Sequence, residues 1–176
     1  MKKGYLIHLF VRYTLVLILG LGNLAIIYAL CTPLTLYPLS SILRVFYPQA
    51  IQAGATITID RYVVVIVPAC IAGAAYYLLI ALNMLTPMPM QKRIHSMAFL
   101  VLSFLVVNLI RIILFINLYI KQGQAVFTQW HAAVWYGGST LLVVAVWLTS
   151  VQIYKIKAIP VYTDIKNLYH YIKRRR

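Results

Sequence analysis

Residues Ile94 to Ile120 read IHSMAFLVLSFLVVNLIRIILFINLYI. The run is almost wholly apolar and long enough to cross a bilayer, which needs about 20 such residues. One cation, Arg111, interrupts it, and no Asp or Glu lies nearby in sequence. An arginine inside a membrane span is costly to desolvate, so it marks either a structural partner or a function.

Working outward, the same apolar character recurs. The chain has 176 residues, 63% of them hydrophobic, with a mean hydropathy of +0.87. This composition predicts an all-α polytopic membrane protein forming a single membrane-embedded domain, residues 1–176. Four spans are expected: Tyr5–Leu30, with Arg12 snorkelling near its start, then Pro68–Thr86, Ile94–Ile120 and His131–Tyr154. The connectors are Cys31–Val67, Pro87–Arg93 and Lys121–Trp130. The first span reads as uncleaved: Met1-Lys2-Lys3 suits a signal peptide, but the apolar stretch is too long and Tyr28-Ala29-Leu30 is a poor cleavage site.

Charge sets the orientation. Lys and Arg number 16 against two acidic residues, Asp60 and Asp164. With the N-terminus inside, inner segments carry Lys2, Lys3, Lys92, Arg93, Lys155, Lys157, Lys166 and Lys173 to Arg176. Outer segments carry Arg44, Arg61 and Lys121, so eleven stand against three. Both termini are therefore expected in the cytoplasm. The same distribution, flanking apolar spans, argues against nucleic-acid binding.

The long outer connector opens as a loop, with Pro33, Pro38 and Pro48 as breakers. Its end, Thr56 to Val67, is β-branched and partly alternating, which predicts a short extracytoplasmic strand or hairpin before the second span. Pro68 suits the first turn of a helix and would disrupt an interior. The core covers residues 57–154. The basic tail, 155–176, reads as a cytoplasmic surface segment, an amphipathic helix that anchors to lipid headgroups.

Function classes fall away with the missing acids. The chain has no Glu, and neither Asp lies in an expected span. That removes HExxH-type zinc hydrolysis, a paired-aspartate protease and phosphoryl transfer with acidic metal ligands. Two cysteines, Cys31 and Cys70, make no zinc spacing and no disulfide scaffold. No metal or organic cofactor is implied.

Three reactive residues remain. Cys70 falls in the first turn of the second span. Arg111 lies 17 residues past Ile94, about 25 Å across at 1.5 Å per residue. His131 opens the fourth span. Alternating span directions deliver all three to the outer layer. There a thiolate is a nucleophile, and a helix N-terminus and an adjacent cation stabilise it. An imidazole can take the thiol proton and return it to a leaving amine. Arg111 could favour the thiolate or bind the oxyanion of a tetrahedral intermediate, and the sequence leaves both open.

Plainer readings stand beside these. Cys70 alone is more often a small packing residue, or half of a Cys31–Cys70 disulfide. Arg111 alone suits a structural role, and His131 alone suits an interface. Gly137-Gly138-Ser139 lacks a serine-protease GxSG pattern and reads as close helix packing by small residues.

Cys70-Ile71-Ala72-Gly73 opening one span, Asn108-Leu109-Ile110-Arg111 late in the next and His131 opening the last resemble the archaeosortase/exosortase family, over roughly Ile57–Trp147. The resemblance implies a multi-pass cell-membrane cysteine transpeptidase of prokaryotic, archaeal type. It implies Cys70 as nucleophile, with Arg111 and His131 as its partners. The substrates would be secreted proteins with a C-terminal tripartite signal: a short motif, an apolar helix and a basic cluster. Cleavage would occur outside the membrane, with transfer to a lipid or other acceptor. The family often has glycine two residues after the cysteine; here Ala72 stands there and Gly73 follows. The competing reading is a non-enzymatic membrane subunit, a scaffold or transporter component, with Arg111 structural.

Overall fold

A computed structural model describes residues 3–173, apart from the side chains at 3–6, 135–136 and 171–172. Met1-Lys2 and Arg174 to Arg176, counted above for orientation, lie outside the described residues. The fold is mostly helical: α1 (Lys3–Gly20), α2 (Ala25–Phe46), strands β1 (Ile51–Ala53), β2 (Thr56–Ile59) and β3 (Tyr62–Val65), then α3 (Pro68–Ile71), α4 (Gly73–Leu85), α5 (Met90–Ala133), α6 (Ser139–Ile153) and α7 (Tyr162–Lys173). Three helical stretches are long and apolar enough to cross a membrane: Gly22–Phe46, Pro68–Leu85 and Met90–Ala133. Two shorter apolar helices, Ile7–Gly20 and Ser139–Ile153, accompany them.

The first expected span, Tyr5–Leu30, is not one helix. The helix ends at Gly20, and Gly22, Asn23 and Leu24 all take positive φ. A second helix, α2, then runs through the segment expected to be a loop, with Pro33 and Pro38 inside it. The physical reason lies in its buried face. Ile27, Cys31, Thr35, Leu39 and Leu43 recur every fourth residue and are all buried. Burying that stripe outweighs the two backbone hydrogen bonds that the prolines remove, a loss membrane helices commonly absorb.

Side-chain pairings set the helix directions. Arg12 reaches the Met84 carbonyl and Tyr77 the Val16 carbonyl, so α1 runs antiparallel to α4. Asn83 bonds Ser96, Tyr76 packs edge-on against Phe104, and Asn108 reaches the Cys70 carbonyl. The α3–α4 segment therefore pairs antiparallel with the first part of α5.

The element α5 spans 44 residues, yet Phe115 touches both Phe127 and His131, and Tyr119 touches Phe127. In a straight helix, residues 12 apart are about 18 Å apart. The chain must therefore reverse, and it does so at Gly123, whose φ of 81° and ψ of 179° suit only glycine. Residues 90–122 and 124–133 form a helical hairpin, which continues through a π-helical turn (Val134–Gly138) into α6. The expected connector Lys121–Trp130 thus shrinks to one residue, because 124–130 remain helical.

The bundle has a tip end at Gly123 and a tail end at Met84. At the tail end, Arg93 donates to the carbonyls of Asn83, Met84 and Thr86, capping the last turn of α4. Arg12 does not merely snorkel: it pairs with Asp164 at 2.7 Å, and Asp164 is 1% exposed. This pair docks α7 onto the bundle, while Tyr162, Ile165 and Tyr169 leave an apolar stripe exposed.

At the tip end the expected strand region is a three-stranded antiparallel meander, ordered β1-β2-β3. Residues 56–65 fall in the region where a hairpin was expected; β1 was not expected. Asp60, at φ 52°, makes the tight turn between β2 and β3. Ile57 and Ile59 are buried and seal the sheet onto the helices.

Candidate functional site

Cys70 lies in α3, a single turn that Pro68 starts and Ala72 ends. The second span was expected to be one helix from Pro68. Instead Ala72 takes φ 58° and ψ 40°, the left-handed region, and α4 starts afresh at Gly73. A single turn carries little helix dipole, so that source of thiolate stabilisation, expected from the sequence, is weak here. The break has another effect. It frees the Cys70 carbonyl from the helical ladder and turns it towards α5. Glycine is the residue best suited to a left-handed position. The conformation that a glycine two residues after the cysteine would favour is thus present with alanine in its place.

Asn108 and Arg111, one turn apart on α5, take up that carbonyl. Asn108 Nδ2 donates to it at 3.0 Å and Arg111 Nη2 at 3.4 Å. Asn108 is buried, so its amide is committed to this contact rather than to solvent. Arg111 Nη1 donates to Ser139 Oγ at 2.9 Å, and Ser139 Oγ in turn donates to the Val134 carbonyl across the π-helical turn. The π turn shifts the register of the descending helix by one residue and presents Ser139 to the arginine. The close-packing reading of Gly137-Gly138-Ser139 thus yields to a polar one for Ser139. It was missed because a serine in an apolar helix carries no signal until the residue across from it is known. Asn108 had a signal, its i, i+3 spacing with Arg111.

His131 does not open a helix. It lies within 124–133, roughly one turn nearer the tip than Arg111, opposite Phe115. Its ring stacks on Phe127, with centroids 5.1 Å apart and planes at 22°, and meets the edge of Phe115 at 5.3 Å. Aromatic packing on two sides fixes the imidazole plane. Among the described residues the imidazole makes no hydrogen bond to the thiol or the guanidinium.

What joins the three residues is a cavity of about 240 Å³, lined by Cys70, Arg111 and His131 with Val63 to Ile66, Ile112, Phe115, Ile116, Tyr119, Gln124 and Phe127. Arg111 also borders a second, apolar cavity with Trp130 and Leu142. Both cysteines are free thiols, so the Cys31–Cys70 disulfide is not formed. Cys31 is buried in the core beside α4. Among the described residues, no group of three or more His, Cys, Asp or Glu is placed to hold a metal ion.

Such a site has a free thiol, a cation with neutral acceptors and an imidazole, gathered on a mostly apolar wall. No family model, no curated protein and no solved structure matches this chain.

Proposed function

We propose that this chain is a membrane-embedded cysteine protease-transpeptidase of the archaeosortase/exosortase kind. The observation that carries the reading is the single cavity shared by Cys70, Arg111 and His131. His131 takes the thiol proton as Cys70 Sγ attacks the scissile carbonyl, forming the S–C bond. The oxyanion meets the Arg111 guanidinium, which lines the cavity. The C–N bond then breaks, and the protonated imidazole returns its proton to the leaving amine. A thioester remains on Cys70. An acceptor amine or hydroxyl, or water, attacks it and regenerates the thiol. The substrate is a secreted protein with a C-terminal motif, apolar helix and basic cluster, and a membrane lipid is the natural acceptor.

The membrane arrangement belongs to the same proposal. Paired as α1–α2, α3–α4, 90–122 and 124–153, the chain makes four traverses of a cell membrane. Both termini are cytoplasmic and the cavity is extracytoplasmic. The Lys/Arg bias supports this orientation.

The test is Cys70→Ala in cells carrying a tagged secreted protein that ends in such a signal. Loss of C-terminal processing is expected; processing at the normal rate defeats the reading. One observation favours the alternative, a non-enzymatic membrane subunit. Arg111 is already engaged by Ser139 and by the Cys70 carbonyl, as a structural staple would be. A membrane-impermeant alkylating reagent separates the two: a catalytic Cys70 reacts fast, and a packing cysteine does not.

A further inference from the structure

Strand β3 is an edge strand, paired with β2 alone. Just past its end, the Ile66 N–H donates to the Ala55 carbonyl at 2.8 Å. Backbone groups alternate along a strand, so Ile66, Val64 and Tyr62 turn theirs towards β2. Val63 and Val65 turn theirs to the open edge.

The side chains show where that edge faces. Ile57 and Ile59 point into the core, and their partners Val64 and Tyr62 share that face. Val63 and Val65, each 56% exposed, stand on the other. Yet one cavity touches Val63, Val64, Val65 and Ile66, residues of both faces. A space running along the edge accounts for this. It is the cavity that holds Cys70.

Natural proteins usually blunt an open edge with lysine, proline or a bulge. β3 reads Tyr-Val-Val-Val, with none of these. Such an edge is complementary to another extended backbone.

We propose that β3 is a docking strand. An extended peptide segment of the substrate adds to it as a fourth strand, hydrogen-bonded to Val63 and Val65, and its scissile carbonyl is delivered to Cys70. The proposal rests on the cysteine-peptidase reading and adds how that site recognises main chain.

The experiment uses the full chain in lipid nanodiscs and follows alkylation of Cys70 by mass spectrometry. The probes are iodoacetamide, an extended tripeptidyl chloromethyl ketone and the same ketone N-methylated at its central amide. The unmethylated ketone is expected to react about 5-fold faster than its N-methyl analogue, the effect of roughly one backbone hydrogen bond. Val65→Pro removes an N–H that faces away from β2, a position where an edge strand tolerates proline. It is expected to abolish the difference between the two ketones, a ratio from which any change in the reactivity of Cys70 itself cancels. Gln52→Pro, on the outer edge of β1, is expected to keep the difference. Equal rates for the two ketones on the unaltered chain overturn the proposal, a comparison that needs no variant to fold. So does a difference that survives Val65→Pro, or a dimer on the unaltered chain that Val65→Pro splits, which would make the edge a self-association surface. If iodoacetamide itself leaves Cys70 unmodified, the peptidase reading fails, and the docking strand with it.

Discussion

The two ends of the bundle hold two arginine clusters that differ in one respect. At the tail end, Arg93 is committed to three carbonyls, and Arg12 shares one of them, that of Met84, and pairs with Asp164. Among the described residues, neither of these arginines lines the two cavities that Arg111 borders. At the tip end, Arg111 has two neutral acceptors, Ser139 Oγ and the Cys70 carbonyl, and lines a cavity beside a thiol and an imidazole. The backbone differs in step. The tail end caps a continuous helix, whereas the tip end is built from a left-handed break at Ala72, a π-helical turn and a reversal at Gly123. A polar cluster that closes on helix-end carbonyls and a buried carboxylate holds a fold together. One that lines a cavity on irregular backbone, with only neutral acceptors, is placed to meet something else.

Substitutions can break this contrast. The largest effect is expected at Cys70→Ala, with processing of a tagged substrate falling by about a thousandfold or more and thermal stability in detergent nearly unchanged. A large loss of stability with intact processing would invert the assignment of the two ends. Next is Asp164→Asn, which leaves the Arg12 charge poorly compensated in a buried site. It is expected to destabilise the fold by about 3 kcal/mol, read from the heat-induced loss of monodisperse protein, without slowing alkylation of Cys70 in protein that remains folded.

Arg111→Lys keeps the charge but loses the planar fork that spans Ser139 and the Cys70 carbonyl. Turnover is expected to fall about 100-fold, against a small change in melting temperature. Arg93→Lys should do the opposite, lowering stability and sparing turnover. Ser139→Ala removes one acceptor from Arg111 and is expected to reduce turnover about tenfold, with Ser139→Thr restoring most of it. If alanine and threonine behave alike, Ser139 does not position the arginine. The smallest effect is Ala72→Gly, which relieves a left-handed alanine. It should raise stability by about 1 kcal/mol, measured by thermal aggregation.

Several features could be read in the residues. Pro68 marks a helix start, and Thr56 to Val67 is β-rich for the reason expected: β-branched side chains favour a half-buried pleated surface. The layer shared by Cys70 and Arg111 follows from counting residues along two antiparallel helices. Other features could not be read. Pro33 and Pro38 pointed to a loop, since the local rule against proline is strong, and only the buried stripe from Ile27 to Leu43 overrides it. Lys121 to Trp130 looked like a connector because it lies between two apolar runs and opens with Lys121, Gln122, Gly123 and Gln124. A single glycine made the turn instead, and residues 124–130 stayed helical, which moved His131 from a helix start to a helix interior.

Taken alone, the order of residues was enough for membrane-scale apolarity, the scarcity of acids and the placing of a thiol, a guanidinium and an imidazole on separate segments. Those are properties of composition and spacing, and they survive any detail of packing. Only tertiary structure decided that Arg12 meets Asp164, that Ser139 and Asn108 attend Arg111 and Cys70, and that the free edge of β3 runs along the cavity. Each of these depends on which groups remain unpaired once helices and strands have satisfied their own backbones. That is settled only when the segments come together.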